Sequence, residues 1–173
     1  MDGVPFILGV GEHVDEKSQR RTGVKISLFD VSDETSPREN ATLVDEGAYS
    51  TANNDFKAFR YLSRSRKLIL PKSKWTRGEG GNFDGFAVYD VRPGAIASVY
   101  EISHARSSDI FRGCWYNAYM PARSLVFQSK LTTILSHSVI STDLADGVQL
   151  WNVSLDEGLN LTTEECAPYF FGF

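Results

Sequence analysis

Three short stretches of this chain are written in one grammar: Phe29-Asp30-Val31, Tyr89-Asp90-Val91 and Trp151-Asn152-Val153 each run aromatic, Asp or Asn, Val. An apolar pair split by one residue precedes each: Ile26 and Leu28 around Ser27, Phe86 and Val88 around Ala87, Val148 and Leu150 around Gln149. Asp90 follows Asp30 by 60 residues, and Asn152 follows Asp90 by 62. A recurring period constrains a fold more than any local propensity, because each copy must be one supersecondary unit stacked on its neighbours.

Strand signals surround each copy in one order. Val4 to Val10 (VPFILGV) precedes the first, and Lys57–Leu62 with Lys67–Pro71, separated by SRSR, precede the second. Arg123–Phe127 and Leu131–Leu135, separated by QSK, precede the third. Further runs follow the first two copies, ATLVDEG near Leu43 and Ile96–Ser103. With the strands of a unit labelled a to d and the aromatic-Asp-Val segment as c, the second unit is complete, the first lacks a, and the third lacks an evident d. Four antiparallel strands, repeated, is the layout of a β-propeller blade. A two-sheet sandwich explains short strands and glycine-rich turns but not the period.

The expected fold is therefore all-β: a partial β-propeller of about three incomplete four-stranded blades in an open arc. The blades are expected at about 4–47, 55–103 and 123–155, within a propeller segment 1–155 followed by a C-terminal tail, 156–173. Since the chain starts inside a blade, further blades of a longer chain are expected beside it. Asp30, Asp90 and Asn152 are expected to cap the turns at their strand ends.

Composition narrows the function classes. The 173 residues are 42% hydrophobic and 12% aromatic, enough for a substantial core of β character. A formal charge of −4 argues against nucleic acid as a partner, since phosphate binding wants a basic face. No apolar run reaches membrane-spanning length, so membrane insertion is not expected, and the N-terminus carries no signal-peptide pattern. Asn-x-Ser/Thr triplets stand at Asn40, Asn152 and Asn160. The two cysteines, Cys114 and Cys166, form a disulfide in an exported protein or remain two thiols otherwise.

The stretch TGVKISLFDVSDETSPRE, followed by YSTANNDFKAF and a LILP strand, resembles the secreted C-terminal β-propeller domain family of prokaryotes and some algae. The resemblance covers about Phe6 to Leu155 and is most specific between Gly23 and Phe59. It implies a propeller in an exported or cell-surface protein and supplies no catalytic residue. One position departs: where the family often reads Asp-His-Lys-Ala-Phe, this chain has Asp55-Phe56-Lys57-Ala58-Phe59.

Strand alternation sorts the connections by end. The a–b and c–d turns are short, whereas the b–c segments (Gly11–Gly23, Lys72–Phe83) and d–a segments (Gly47–Asp55, His104–Ala122) are long and share one rim. Rigid scaffolds usually bind through such loops. The rim is basic and aromatic, with Lys17, Arg20, Arg21, Lys72, Lys74, Trp75, Arg77, Arg106, Arg112, Trp115 and Tyr116. Trp75, Arg77, Lys74, Arg20, Arg21 and Trp115 are the candidate contacts for a protein or an acidic glycan, with His104 beside them at the end of strand d. His13, His104 and His137 have no metal-ligand spacing. GEGGN, Gly78 to Asn82, lacks the Lys-Ser/Thr of a phosphate loop, and no nucleophile elbow is present. No cofactor is expected; calcium, through Asp15, Asp84 and Asp143, lacks a repeated acidic loop to support it. Two function classes follow: a non-catalytic binding or scaffold segment of a secreted or surface protein, and a fragment of a propeller hydrolase whose catalytic residues lie partly in other blades.

Overall fold

The computed structural model describes residues 5–74, 83–104, 121–135 and 138–155, and these form three stacked antiparallel sheets. The first contains β1 (Phe6–Val14), β2 (Arg21–Asp30) and β3 (Arg38–Glu46) in that spatial order. In the second, β6 (Lys67–Lys74), β7 (Phe83–Arg92) and β8 (Ala95–Ser103) lie side by side. The two short strands β4 (Ala48–Tyr49) and β5 (Arg60–Leu62) both pair with β6. The third runs β9 (Arg123–Phe127), β10 (Lys130–Leu135), β11 (Ser138–Asp143), β12 (Gln149–Ser154). Together they make the open, incomplete propeller that the period predicts.

The middle sheet shows why a period of two on both faces is needed. Leu68 and Leu70 of β6, with Ala87, Tyr89 and Val91 of β7, pack against Val24, Ile26 and Leu28 of the first sheet. The alternate residues, Ile69, Phe86 and Val88, pack against Leu131, Leu135 and Ile140 of the third. A strand whose successive side chains point to opposite faces can be apolar throughout only between two layers. All eight of these β6 and β7 side chains are buried. The first two sheets join through one cluster and the last two through another.

Two expectations about the repeat need correction. Trp151-Asn152-Val153 lies in β12, the fourth strand of its sheet, not in the strand equivalent to β2 and β7. The true third copy is Thr142-Asp143-Leu144. Lys67 pairs with Asp90 as Lys130 pairs with Asp143. The pairing with the following strand also slips at one equivalent place in every sheet: between Leu28 and Phe29, Val88 and Tyr89, Ser141 and Thr142. A β-bulge recurring at one register position identifies the copies more securely than residue type does. The aromatic is replaced by Thr142 in the third copy, so a search for aromatics passes over β11 and lands on the next strand.

Of the three residues expected to cap turns, Asp30 does so, Asn152 lies inside β12, and Asp143 caps the turn of the third copy instead. Asp30 Oδ1 accepts from the Ser32 amide at 2.9 Å, and Asp143 Oδ1 accepts from the Ala145 amide at 2.8 Å. Asp90 is instead gripped by Arg92, whose Nη2 donates to Oδ2 at 2.6 Å. That hydrogen bond holds the Asp90 carboxyl below the usual aspartate range.

The second correction concerns the rim. Gly11 to Gly23 is not a long loop: β1 and β2 continue to Val14 and from Arg21, leaving a tight turn closed by Asp15, whose Oδ1 accepts from the Ser18 amide and hydroxyl at 2.7 Å. Gly23 serves close approach rather than turning. At Gly23 a Cβ would collide with the carbonyl of Asp45 on β3. The segment after Gly47 is likewise ordered, as β4 and two 3-10 turns, Thr51–Asn53 and Phe56–Ala58. Ser50 and Asp55 cap these turns, accepting from the Ala52 and Lys57 amides. No helix among the described residues is long and apolar enough to cross a membrane.

Candidate functional site

The end of the first two sheets where β1 turns into β2 and β3 passes into β4 encloses a cleft of about 180 Å³. Its walls include Glu12 of β1, Arg21, Thr22 and Gly23 of β2, then Gly47, Tyr49 and Asn53. Pairing of β4 with the far end of β6, Ala48 opposite Lys74 and Tyr49 opposite Ser73, brings the Gly47–Asn53 segment across to the second sheet. Gly47 makes the turn with φ 73°, a conformation that favours glycine.

Charge and apolar surface are divided across this cleft. The Arg21 guanidinium grips Glu12, Nε to Oε2 at 2.8 Å and Nη1 to Oε1 at 2.9 Å, a two-point pair at the protein surface. Asn53 has both polar atoms of its amide buried without a hydrogen-bond partner. Each such atom costs about 1–3 kcal/mol of lost hydration. Tyr49 of the cleft wall is 45% exposed, and Phe56 of the following 3-10 turn is 80% exposed with the Lys57 ammonium 5.9 Å from its ring centre. Phe56 occupies the place where the family resemblance anticipates a histidine. The arrangement offers an amide and an ion pair for hydrogen bonding, and aromatic faces for contact.

Beneath the cleft, where the first and second sheets meet, lies a charged knot. Lys72, 8% exposed, binds Asp45 of β3 and donates to Glu101 Oε1 at 2.6 Å. The Tyr89 hydroxyl donates to Asp45 Oδ2 at 3.3 Å. Burial works to depress the Lys72 ammonium, but its bonds to Asp45 and Glu101 prevail and hold it above the ordinary lysine value. Burial, reinforced by Asp45, pushes the Tyr89 phenol well above its usual value.

The sequence candidates scatter across this map. Arg21 lies at the cleft and Arg20 is exposed in the turn beside it. Lys74 Nζ stands 3.7 Å from Asp45 Oδ1, and its Cε would be 3.5 Å from a Cβ placed on Gly47, against the same wall. Trp75, Arg77, Trp115, Arg106, Arg112, Tyr116 and both cysteines, Cys114 and Cys166, lie outside the described residues. His104 belongs elsewhere: it is 3% exposed between the second and third sheets, Nδ1 2.7 Å from the Ser138 hydroxyl and Nε2 2.9 Å from the Thr133 hydroxyl. Its ring also meets Phe86, centres 5.7 Å apart. An imidazole so enclosed acts as a fastener between sheets. The three aspartates considered for calcium do not converge. Asp15 and Asp84 lie toward the cleft end and Asp143 at the opposite end of its strand, where it caps a turn. Among the described residues no three His, Cys, Asp or Glu side chains are close enough to hold a metal ion.

Glu12, Tyr49 and Asn53 were not singled out in the sequence, and Phe56 only as the departure from the family's histidine. Nothing local marks them, since the unsatisfied amide and the exposed rings exist only once β4 crosses to β6.

The β-propeller domain family model matches residues 3–147. No curated protein matches the chain. Among solved structures, a europium-containing methanol dehydrogenase is similar at a TM-score of 0.45 and 11% identity, over 76% of this chain and 21% of that one. The chain thus spans about a fifth of the length of that protein.

Proposed function

The chain belongs to the β-propeller domain family, and from that premise we propose that it is a non-catalytic binding and scaffold segment that recognises a protein or glycan group through the cleft of Glu12, Arg21, Tyr49 and Asn53. The observation that carries the reading is the Asn53 amide, buried beside the cleft with neither polar atom partnered. A ligand bearing a hydroxyl or amide recovers that lost hydrogen bonding on binding, and exposed Tyr49 and Phe56 supply contact area at little entropic cost. The volume, about 180 Å³, is below the roughly 300–1,000 Å³ of sites that engulf a small molecule. It suits one protruding side chain or sugar of a larger partner. The setting we propose is the cell exterior, as the family resemblance implies, with further blades of a longer chain beside these.

The test is retention on arrays of immobilised glycans and extended peptides. Wild type is expected to retain members of one class, and Asn53→Leu or Tyr49→Ala to weaken them about tenfold with the denaturation midpoint unchanged or, for Asn53→Leu, raised. Equal retention by these variants removes the cleft from the argument. Turnover of an ester, glycoside or peptide by this chain would favour the hydrolase reading instead.

A further inference from the structure

One hydrogen bond recurs in all three sheets and fixes their common register. The Val31 amide donates to the Pro5 carbonyl at 3.1 Å, Val91 to Arg66 at 2.9 Å, and Leu144 to Ser129 at 2.8 Å. β1, β6 and β10 are therefore equivalent strands, each beginning one residue after that acceptor. Along an antiparallel strand, backbone groups point alternately to one neighbour and to the other. Pro5, Arg66 and Ser129 point toward β2, β7 and β11. The residue after each of them, and every second one beyond it, thus aims its backbone N–H and C=O at the opposite edge.

In two sheets that edge is answered. Lys67 and Ile69 of β6 pair with Leu62 and Arg60 of β5, the Pro71 carbonyl accepts from the Ser50 hydroxyl at 2.7 Å, and Ser73 pairs with Tyr49 of β4. Lys130, Thr132 and Ile134 of β10 pair with Phe127, Leu125 and Arg123 of β9. The corresponding residues of β1 are Phe6, Leu8, Val10 and Glu12. Among the described residues, no strand pairs with them on that side.

Three further observations mark this edge. Natural sheets blunt a free edge with lysine, proline, charge or a bulge, whereas β1 reads FILGVGEHV, with no charge before Glu12 and no register shift before His13. Leu8 and Val10 are half-buried on the cluster between the first two sheets, while their counterparts in β6, Ile69 and Pro71, are buried. The Thr51 and Tyr61 hydroxyls are enclosed without a hydrogen-bond partner. The Thr51–Asn53 turn lies beside β1, and Tyr61 packs on the same cluster as Leu8 and Val10.

We propose that β1 takes a further strand along this edge: an extended polypeptide segment, antiparallel to β1, that completes the first sheet as β5 and β9 complete the other two. This goes beyond the cleft reading and stands on a separate site. In strand addition the backbone supplies affinity and alternate side chains supply specificity. The two seated strands show which side chains suit: Leu62 and Phe127 stand opposite Lys67 and Lys130, and Tyr61 and Val126 opposite Leu68 and Leu131. The segment on β1 therefore carries two adjacent apolar residues, opposite Phe6 and Ile7. A further part of the longer chain and a separate protein share this chemistry.

Fluorescence anisotropy tests it, with the 173-residue chain and a labelled peptide copying residues 122–128, ARSLVFQ, the strand seated at the equivalent place on β10. Saturable binding is expected. The peptide residues that exchange hydrogen bonds with β1 are those copying Arg123, Leu125 and Phe127. N-methylation at the Leu125 position should weaken binding roughly tenfold, and at the Val126 position hardly at all. Val10→Pro deletes an amide that faces away from β2, at a place where β6 already carries Pro71. It should weaken the peptide by a similar factor with the melting temperature retained. Tyr49→Ala, which the cleft reading requires to matter, should leave the peptide bound. No binding by wild type overturns the proposal, as does equal loss at both N-methyl positions. Binding indifferent to Val10→Pro means exchange with β9 on β10, and binding lost with Tyr49→Ala places the peptide in the cleft; either overturns it. Should Val10→Pro unfold, the two N-methyl peptides decide on wild type alone. Where the 173-residue chain binds, binding also by the full-length protein assigns the natural segment to a separate partner, and its loss there assigns it to the same polypeptide.

Discussion

The two junctions between sheets bury similar apolar sets but fasten their polar ends differently. Between the first and second sheets the fastener is ionic: Lys72 held by Asp45 and Glu101, with Tyr89 on Asp45. Between the second and third, among the described residues, it is mostly neutral: His104 between two hydroxyls, Arg60 Nε donating to the Ser124 hydroxyl at 3.1 Å, and Tyr100 on a carbonyl, with the ion pair of Arg123 and Asp55 at 2.6 Å nearer the surface. An ionic knot holds well while complete and fails badly when one member goes, because the remaining charge stays buried. Neutral hydroxyl contacts fail by single hydrogen bonds. The same layered packing thus tolerates two fasteners with different modes of failure.

That difference predicts the largest effect. Asp45→Ala leaves the Lys72 ammonium enclosed with only Glu101 to answer it, and should lower unfolding free energy by about 3 kcal/mol. Adding Lys72→Met to Asp45→Ala should recover most of the loss, since the stranded charge is then gone. Urea unfolding of the single and double variants checks this. If the double variant is as unstable as Asp45→Ala alone, the knot matters through packing rather than charge.

His104→Leu breaks the neutral fastener. Thr133 keeps its bond to the Ile140 carbonyl at 3.3 Å, so the expected loss is smaller, about 1–2 kcal/mol. A loss equal to that of Asp45→Ala would erase the contrast between the junctions. Acid sharpens it from the other side. Asp55 is held below the ordinary aspartate value, first by the hydrogen bond from Arg123, against a smaller opposing effect of burial. A depressed carboxylate contributes stability that is present above its unfolded pKa and fades as pH falls through its folded one. Below about pH 4 Arg123→Gln should therefore lose less stability than wild type.

How much of this was legible in the sequence depends on what kind of fact is asked for. The period was visible because Phe29-Asp30 and Tyr89-Asp90 end equivalent strands at the same bulged register, Tyr89 buried between two sheets and Phe29 on the outer side of the first. It misled in the third sheet because Thr142 fills that place there, while Trp151 on an outer strand imitates the pattern. Glycines at 11 and 23 read as the ends of a loop and lie in strands, and at 23 a residue that lets Asp45 of β3 approach closely looks in the sequence the same as one that makes a turn. His104 was found at its correct place in the order of strands, but its enclosure by Thr133 and Ser138 is a tertiary fact with no local trace. The cleft was least legible: Asn53 is one polar residue in a polar segment until β4 crosses to β6.

The smallest predicted effect separates the junctions in alkali. Burial, with Asp143 and Asp146 adding to it, pushes the Tyr100 phenol up to about 12. The unfolded chain releases this proton near pH 10, so the folded state binds more protons between those values and stability falls as pH rises through the interval. Two pH units would amount to roughly 2.7 kcal/mol for a fully enclosed group; with the ring partly open to water about 1 kcal/mol is expected, a fall of roughly 2–4 °C in Tm for a chain of this size. Tyr100→Phe removes that portion, at the steady cost of the hydrogen bond to the Leu144 carbonyl. The first junction loses stability over the same range: the Tyr89 phenol, raised further, keeps its proton in the folded chain when the unfolded chain releases it near pH 10. Lys72, raised above the ordinary lysine value, contributes fully below about pH 10.5 and fades beyond it. Melting curves from pH 9 to 12 should therefore be flatter for Tyr100→Phe than for wild type, the remaining slope coming from the first junction. Parallel curves throughout would mean that the second junction contributes nothing to the alkaline loss, and that Tyr100 is already open to solvent in the folded state.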